Sequence, residues 1–118
     1  MAAEKFEGGC QCGAVRYEVT ADLNSTIVCN CSRCRRLGWI MTFVPTAQFK
    51  LLAGEEATTE YLFNKHVIHH HFCKTCGIQS FSRGKSPDGS QMVAINVRCL
   101  DNVDLDALKP RHFDGKSK

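Results

Sequence analysis

The chain has 118 residues, of which 43% are hydrophobic and 23% are charged, and its formal net charge at pH 7 is +3. This composition is typical of a globular protein and excludes a disordered chain. No apolar run reaches the roughly 20 residues that a membrane-spanning helix needs. Lysine and arginine form no dense basic stripe of the kind that nucleic-acid modules show. We therefore expect one domain over residues 1–118, with no membrane or nucleic-acid partner.

The N-terminus lacks the charged region and the apolar core of a signal peptide. We therefore expect a cytoplasmic protein, whose thiols stay reduced. This expectation bears on the eight cysteines, because in a secreted chain of this length they would indicate a disulfide scaffold.

The predicted elements are short strands separated by glycine, asparagine and proline. In the first strand, Val15, Tyr17 and Val19 alternate with polar residues, which is the period-two pattern of a half-buried strand. In chain order, the predicted strands are residues 14–20, 38–44, 49–52, 58–63 and 91–99. Helical turns are predicted only at residues 32–37 and 103–108. The pattern therefore predicts a mainly β fold with few short helical turns.

Seven of the eight cysteines fall in three tight groups that are spaced as metal ligands. Disulfides across such short spacings are strained and uncommon outside redox motifs, whereas short thiolate pairs present two ligands to one tetrahedral ion. The groups are Cys10-x-Cys12, Cys29-x-Cys31-x-x-Cys34 and Cys73-x-x-Cys76. The sequence therefore predicts a zinc protein, in which the metal staples a fold of short strands.

Two of the groups provide two thiolates each, and together they complete one coordination sphere. Cys10, Cys12, Cys73 and Cys76 can close a tetrahedron with Zn–S distances of about 2.3 Å. Such a site is coordinatively full, and we expect it to be structural.

The remaining group, Cys29, Cys31 and Cys34, supplies three ligands within six residues. Three protein ligands and an open fourth position are typical of a catalytic or exchangeable zinc ion. A closed structural site, completed by a histidine or by Cys99, stays open as an alternative.

Three arginines, Arg33, Arg35 and Arg36, lie within or beside this three-cysteine group. Three thiolates around a zinc dication leave a net charge of about −1, which these guanidinium groups would offset. They would also keep the thiolates deprotonated and offer forks for substrate carboxylates. Plain solvation of the three side chains stays open as the alternative.

The other metal-binding residue types are expected to have lesser roles. Cys99 continues the apolar face of its predicted strand, so we expect a small buried hydrophobic side chain. Trp39 is expected in the core or in the wall of a cleft. Among the histidines at positions 66, 69, 70 and 71, we expect one to face the cleft and the others to lie at the surface.

At these residues the chain resembles the glutathione-dependent formaldehyde-activating enzyme family, which includes centromere protein V-like proteins. The resemblance runs over residues 6–108 and consists of three spaced cysteine motifs in the family's order. The matching residues are the run from Gly9 to Tyr17, then Cys29, Cys31, Cys34, Arg35 and Gly38, then Phe72, Cys73, Cys76, Gly77 and Phe81.

The resemblance implies a β-tent fold with two zinc ions, one structural and one at the active site. It places the structural ion at the four-cysteine set, and the catalytic ion at Cys29, Cys31 and Cys34, with Arg35 beside it. The family's namesake reaction adds glutathione to formaldehyde and gives S-hydroxymethylglutathione.

We therefore expect a carbon–sulfur lyase, a monomer or homodimer, that acts on glutathione or a similar thiol and a small aldehyde. Two alternatives stay open: a non-enzymatic, zinc-stabilised binding module, and a carrier of thiols or metal.

Overall fold

The structure is a computed structural model that describes residues 4–62, 69–86 and 88–114. Ten strands and one α-helix lie in these residues. The strands are β1 (Glu4–Gly9), β2 (Arg16–Ala21), β3 (Ile27–Cys29), β4 (Met41–Pro45), β5 (Phe49–Ala53), β6 (Thr58–Tyr61), β7 (His69–Cys73), β8 (Phe81–Lys85), β9 (Gln91–Asn96) and β10 (Arg111–Phe113). The helix is α1 (Ser32–Leu37), between β3 and β4. The predicted mainly β fold is confirmed.

The strands form two sheets. A three-stranded sheet has the order β1-β2-β5, and a seven-stranded sheet has the order β10-β3-β4-β9-β8-β7-β6. The pairings are antiparallel except that β10 lies parallel to β3, with Phe113 opposite Cys29. Strand β10 therefore supports the point at which the three-cysteine group begins.

An aromatic cluster joins the two sheets. Tyr17 and Phe49, from the smaller sheet, pack on Phe81 of the larger one, and the ring centroids of Phe49 and Phe81 are 5.0 Å apart. The Tyr17 hydroxyl donates a hydrogen bond to the carbonyl oxygen of Ser80 at 3.1 Å. Because a buried aromatic side chain contributes about 1.5–3 kcal/mol by burial alone, this cluster is a main source of stability.

Several strand boundaries differ from the predicted ones. The strand predicted at residues 91–99 ends at Asn96, because the Asn96 side chain accepts a hydrogen bond from the backbone N–H of Arg98 at 3.1 Å and starts a 3₁₀ turn. The strand predicted from residue 38 begins at Met41, because Gly38 ends α1 with a φ of 73°. Residues 103–108 contain a 3₁₀ turn of three residues, and residue 63 lies outside the described residues.

Candidate metal centres

The first cysteine group is assembled from two distant segments. The turn between β1 and β2 carries Cys10 and Cys12, whereas Cys73 ends β7 and Cys76 lies in the turn that follows. The four Sγ atoms lie within 4.8 Å of one another. The Sγ atom of Cys12 is 3.7 Å from that of Cys10 and 3.7 Å from that of Cys73. A tetrahedron with Zn–S distances of about 2.3 Å has edges of about 3.8 Å. The spacing therefore fits a shared metal ion, and it is far longer than the S–S bond of a disulfide.

Residues 73–78, at the end of β7, form a closed turn, the knuckle. Gly77, with a φ of 81°, donates its N–H to the carbonyl oxygen of Cys73 at 2.8 Å, and a side chain is strained at such an angle. The Cys73 N–H in turn donates to the carbonyl oxygen of Ile78 at 3.0 Å. Two backbone N–H groups, of Thr75 and Cys76, point at the Cys73 sulfur at 3.4 and 3.5 Å. The chain therefore surrounds this sulfur with donors that stabilise a thiolate.

The pKa values of this group show which of its thiols the fold stabilises as thiolates. Backbone donors lower the pKa of Cys73, and the Ile78 N–H lowers the pKa of Cys76 to about 6. The Ala14 N–H lowers the pKa of Cys12, but desolvation and the neighbouring thiols outweigh it and raise that pKa to about 11. Four thiolates at this distance repel one another, so a bound cation is what allows the set to ionise fully. The donor set therefore fits a metal dication.

The second cysteine group is local. Cys29 ends β3, Cys31 is the N-cap of α1, and Cys34 lies inside the helix, with the three Sγ atoms within 4.8 Å of one another. The Cys31 sulfur accepts the N–H of Cys34 at 3.4 Å, as a serine or aspartate oxygen does at an ordinary N-cap. The Cys31 N–H donates to the Cys29 sulfur at 3.4 Å, and the indole N–H of Trp39 donates to the Cys34 sulfur at 3.2 Å.

The three thiols of this group are unequal. Burial raises the pKa of Cys34 to about 12, although the Trp39 indole opposes the shift. Burial is the largest single influence on the pKa of Cys31 and acts to raise it, but hydrogen bonds from the backbone N–H groups of Cys34 and Arg33 and from the neighbouring thiols together outweigh burial, and the net shift is downward. A buried thiol ionises readily only beside a positive charge. These three donors therefore also fit a metal ion.

The three predicted arginines do not share one environment. Arg35 and Arg36 are exposed and line an open cavity of about 480 Å³ together with Asn30 and Ser32. Arg36 also donates to the carbonyl oxygen of Ser32 at 3.0 Å. Both guanidinium groups therefore border open space beside the three-cysteine group, and their role in binding substrate carboxylates stays a prediction.

Arg33 is half-buried and turns towards the larger sheet. Its guanidinium donates to the side-chain oxygen of Gln79 and lies 4.6 Å from the centre of the Tyr61 ring. It also lines a second cavity, of about 610 Å³, with Arg36 and Tyr61. A role for Arg33 in substrate binding stays a prediction, but its side chain already has protein partners.

A model of the glutathione-dependent formaldehyde-activating enzyme family matches residues 5–114 of the chain. The chain belongs to this family. Its structure is also similar to the crystal structure of a Rhodobacter sphaeroides protein, with a TM-score of 0.81 and 30% sequence identity over 91% of this chain and 99% of that chain. The resemblance that the cysteine motifs carry is therefore confirmed.

In this family member, the eighth cysteine belongs to neither group. All eight cysteines are among the described residues, and none of them forms a disulfide. Cys99 is half-buried in a 3₁₀ turn, its thiol is 3.9 Å from the carbonyl oxygen of Gln79, and burial raises its pKa to about 12. The predicted buried position on a strand is therefore wrong in detail, because the strand ends at Asn96 and Cys99 is only partly buried in the turn that follows.

The histidines differ in part from the expectation. His70 is buried, with Nδ1 at 3.1 Å from the amide nitrogen of Gln79. His69 lies at the surface and pairs with Glu60 at 2.9 Å, as expected. His71 is mostly buried instead, because its ring stacks on Phe81 at 4.9 Å. Residue 66 lies outside the described residues, and none of the described histidines joins either cysteine group.

Sequence reasoning missed three residues near the three-cysteine group. Gln79 and Tyr61 contact Arg33 from elements far along the chain, a proximity that depends on strand pairing. Asn30, inside the cysteine motif itself, lines the cavity of about 480 Å³. Their residue types carry no ligand signal. Within the described residues, no helix has the length and apolar character needed to cross a membrane.

Proposed function

We propose that this protein is a zinc-dependent carbon–sulfur lyase that adds glutathione, or a similar thiol, to formaldehyde or another small aldehyde. The observation that carries the proposal is the three-cysteine group. Among the described residues, no fourth histidine, cysteine, aspartate or glutamate joins it, and arginine-lined cavities lie beside it. Family membership supports the same thiol and aldehyde. The need for reduced thiols supports a cytoplasmic location.

The reaction forms one C–S bond between the thiol sulfur and the carbonyl carbon. The C=O bond becomes a single bond, the thiol proton ends on that oxygen, and no oxidant or reductant is needed. A zinc ion at Cys29, Cys31 and Cys34 would supply a Lewis-acidic position for the thiol sulfur or the carbonyl oxygen.

The chain itself holds these ligands and orients the substrate. The Trp39 N–H and the N-cap geometry of Cys31 fix the sulfur atoms of α1 before any substrate binds. Arg35 and Arg36 present guanidinium forks to carboxylates. Glutathione carries two carboxylates at a distance from its thiol, so binding energy there places the sulfur without touching the reacting atoms.

The proposal is tested by exchange NMR between free glutathione and its formaldehyde adduct, with the uncatalysed rate subtracted. The subtraction is essential because this addition also proceeds without an enzyme. We expect Cys31→Ser to abolish the catalysed exchange while the protein stays folded. An exchange rate equal to that of the parent would overturn the catalytic assignment and favour a binding module.

The role of the exposed arginines is tested in the same assay. The double variant Arg35→Ala/Arg36→Ala should raise the KM for glutathione about tenfold, the factor expected from roughly 1.4 kcal/mol of lost charge-assisted bonding. Exchange with 2-mercaptoethanol, which has no carboxylate, should change little. Lys50→Ala, an exposed cation of the smaller sheet, is the matched control. Equal losses with both thiols would contradict carboxylate binding.

A further inference from the structure

Gln79 follows the knuckle of the four-cysteine group and is itself almost fully buried, with 1% of its surface exposed. The knuckle closes through the hydrogen bond from the Cys73 N–H to the carbonyl oxygen of Ile78, the residue before Gln79. The Gln79 carbonyl oxygen accepts a hydrogen bond from the Asn96 side chain at 2.9 Å. The backbone at this position is therefore fixed on both sides, by the knuckle and by β9.

Both ends of the Gln79 side chain are engaged. Its oxygen accepts from Arg33, so its amide nitrogen is the end that donates to Nδ1 of His70 at 3.1 Å. A buried amide with both ends bonded has one orientation, because any rotation would leave buried polar atoms without partners. Gln79 is thus a rigid acceptor aimed at α1.

Helix α1 depends on such outside support. It has six residues, well below the roughly 12–15 that an isolated helix needs for marginal stability in water. Arg33 lies in it between two of the three ligands, Cys31 and Cys34. One face of the Arg33 guanidinium lies on the Tyr61 ring, and its Nε is buried without a hydrogen-bond partner among the described residues. Gln79 therefore provides the polar contact that fixes Arg33.

We propose that Gln79 is a positioning residue that holds Arg33, and through it the α1 ligands, in the geometry that binds metal at the three-cysteine group. The inference rests on the proposed function only in assigning zinc to that group. It links the two cysteine groups, because the knuckle of one sets the anchor for the other. Gln79 itself belongs to neither cysteine group.

The experiment measures zinc release from the reduced holoprotein to a chromogenic chelator in excess. We expect two phases, a fast one from the three-cysteine group and a slow one from the four-cysteine group. Gln79→Leu should accelerate the fast phase about tenfold, the effect expected when a hydrogen bond to a charged group is lost, and leave the slow phase unchanged. Arg33→Met should do the same, and the double variant should be no faster than either single one.

Two further variants separate positioning from a general loss of stability. Gln79→Glu keeps the acceptor for Arg33 and should restore the parent's fast phase. Thr42→Val removes a hydrogen bond made by another buried side chain of the larger sheet, to the carbonyl oxygen of Ser25 at 3.2 Å, and should leave both phases unchanged. A fast phase in Gln79→Leu equal to the parent's, or additive effects in the double variant, would overturn the inference alone. A parent that holds only one zinc would overturn it together with the proposed metal site.

Discussion

The two cysteine groups use the same donor atoms but differ in how far apart their ligands lie along the chain. Cys12 and Cys73 are 61 residues apart, so an ion shared by them would close a long loop and hold the first turn against the knuckle. Cys29, Cys31 and Cys34 lie within six residues, so an ion bound to them would enclose almost no loop of the chain. Loop-closure entropy rises with the length enclosed. By this argument, an ion at the distant pairing would contribute to folding, whereas an ion at the local triplet would be free to exchange within a folded chain.

The largest effect is expected at the distant pairing. Cys73→Ser should unfold or aggregate, because structural zinc contributes folding free energy of about 10–16 kcal/mol, as much as a typical domain's whole stability. Thermal unfolding followed by circular dichroism is the measurement. Cys99→Ser, outside both groups, is the matched control and should melt close to the parent. If Cys73→Ser also melted with the parent, the four-cysteine pairing would be wrong.

A smaller effect is expected when a competing thiol is offered to the folded protein. Elemental analysis of the reduced protein should give two zinc ions per chain, falling towards one after dialysis against glutathione. The local group should lose its ion because no fourth ligand joins it among the described residues and because the cavity lined by Arg35 and Arg36 lies beside it. A zinc content that stays at two ions per chain after dialysis would mean that both groups are closed, and the proposed difference between the two groups would be wrong.

The smallest effect concerns the buried polar network between the groups. Burial, with help from Arg33, His71 and His69, lowers the pKa of His70 from 6.5 to about 4. Between pH 6.5 and about 4, His70 is therefore protonated in the unfolded chain but neutral in the folded chain. The resulting stability is complete above about pH 6.5 and is lost as the pH falls towards 4.

This pH dependence is measured as the urea midpoint between pH 5 and 8, with zinc in excess. The variant His70→Gln should show a flatter profile than the parent over the same range, because it lacks the buried imidazole of residue 70 while the other titrating groups are the same in both proteins. Parallel profiles for the two proteins would show that ligand protonation, and not His70, governs the fall in stability.

The sequence predicted which cysteines the structure brings together. The spacing within each group is local information, and once one group supplies three thiols, the two remaining pairs are left to share one site. The strand of Tyr17 was also predicted from local information, since alternating burial is visible over a few residues. Where the end of a strand depends on one side-chain hydrogen bond, as at Asn96, the alternating pattern predicted a strand that is too long.

The contacts between distant elements were not predictable. Strand β10 pairs in parallel with β3, and beside this pairing Asn30 contacts Asp114, which is 84 positions further along the chain. Arg33 contacts Gln79, which is 46 positions further along. Nothing in a single sequence marks such partners, because glutamine and arginine are ordinary surface residue types. The direction of Arg33, towards the sheet, followed from packing alone.

Trp39 is the chain's one tryptophan, and its indole N–H points at the sulfur of Cys34. A thiol and a thiolate in contact with an indole alter its emission to different degrees, so a change in the ionisation of Cys34 on metal binding would change the tryptophan fluorescence, whereas the four-cysteine group lies outside this contact. The occupancy of the three-cysteine group can therefore be followed in unlabelled protein, by light alone, while candidate thiols and aldehydes are added one after another.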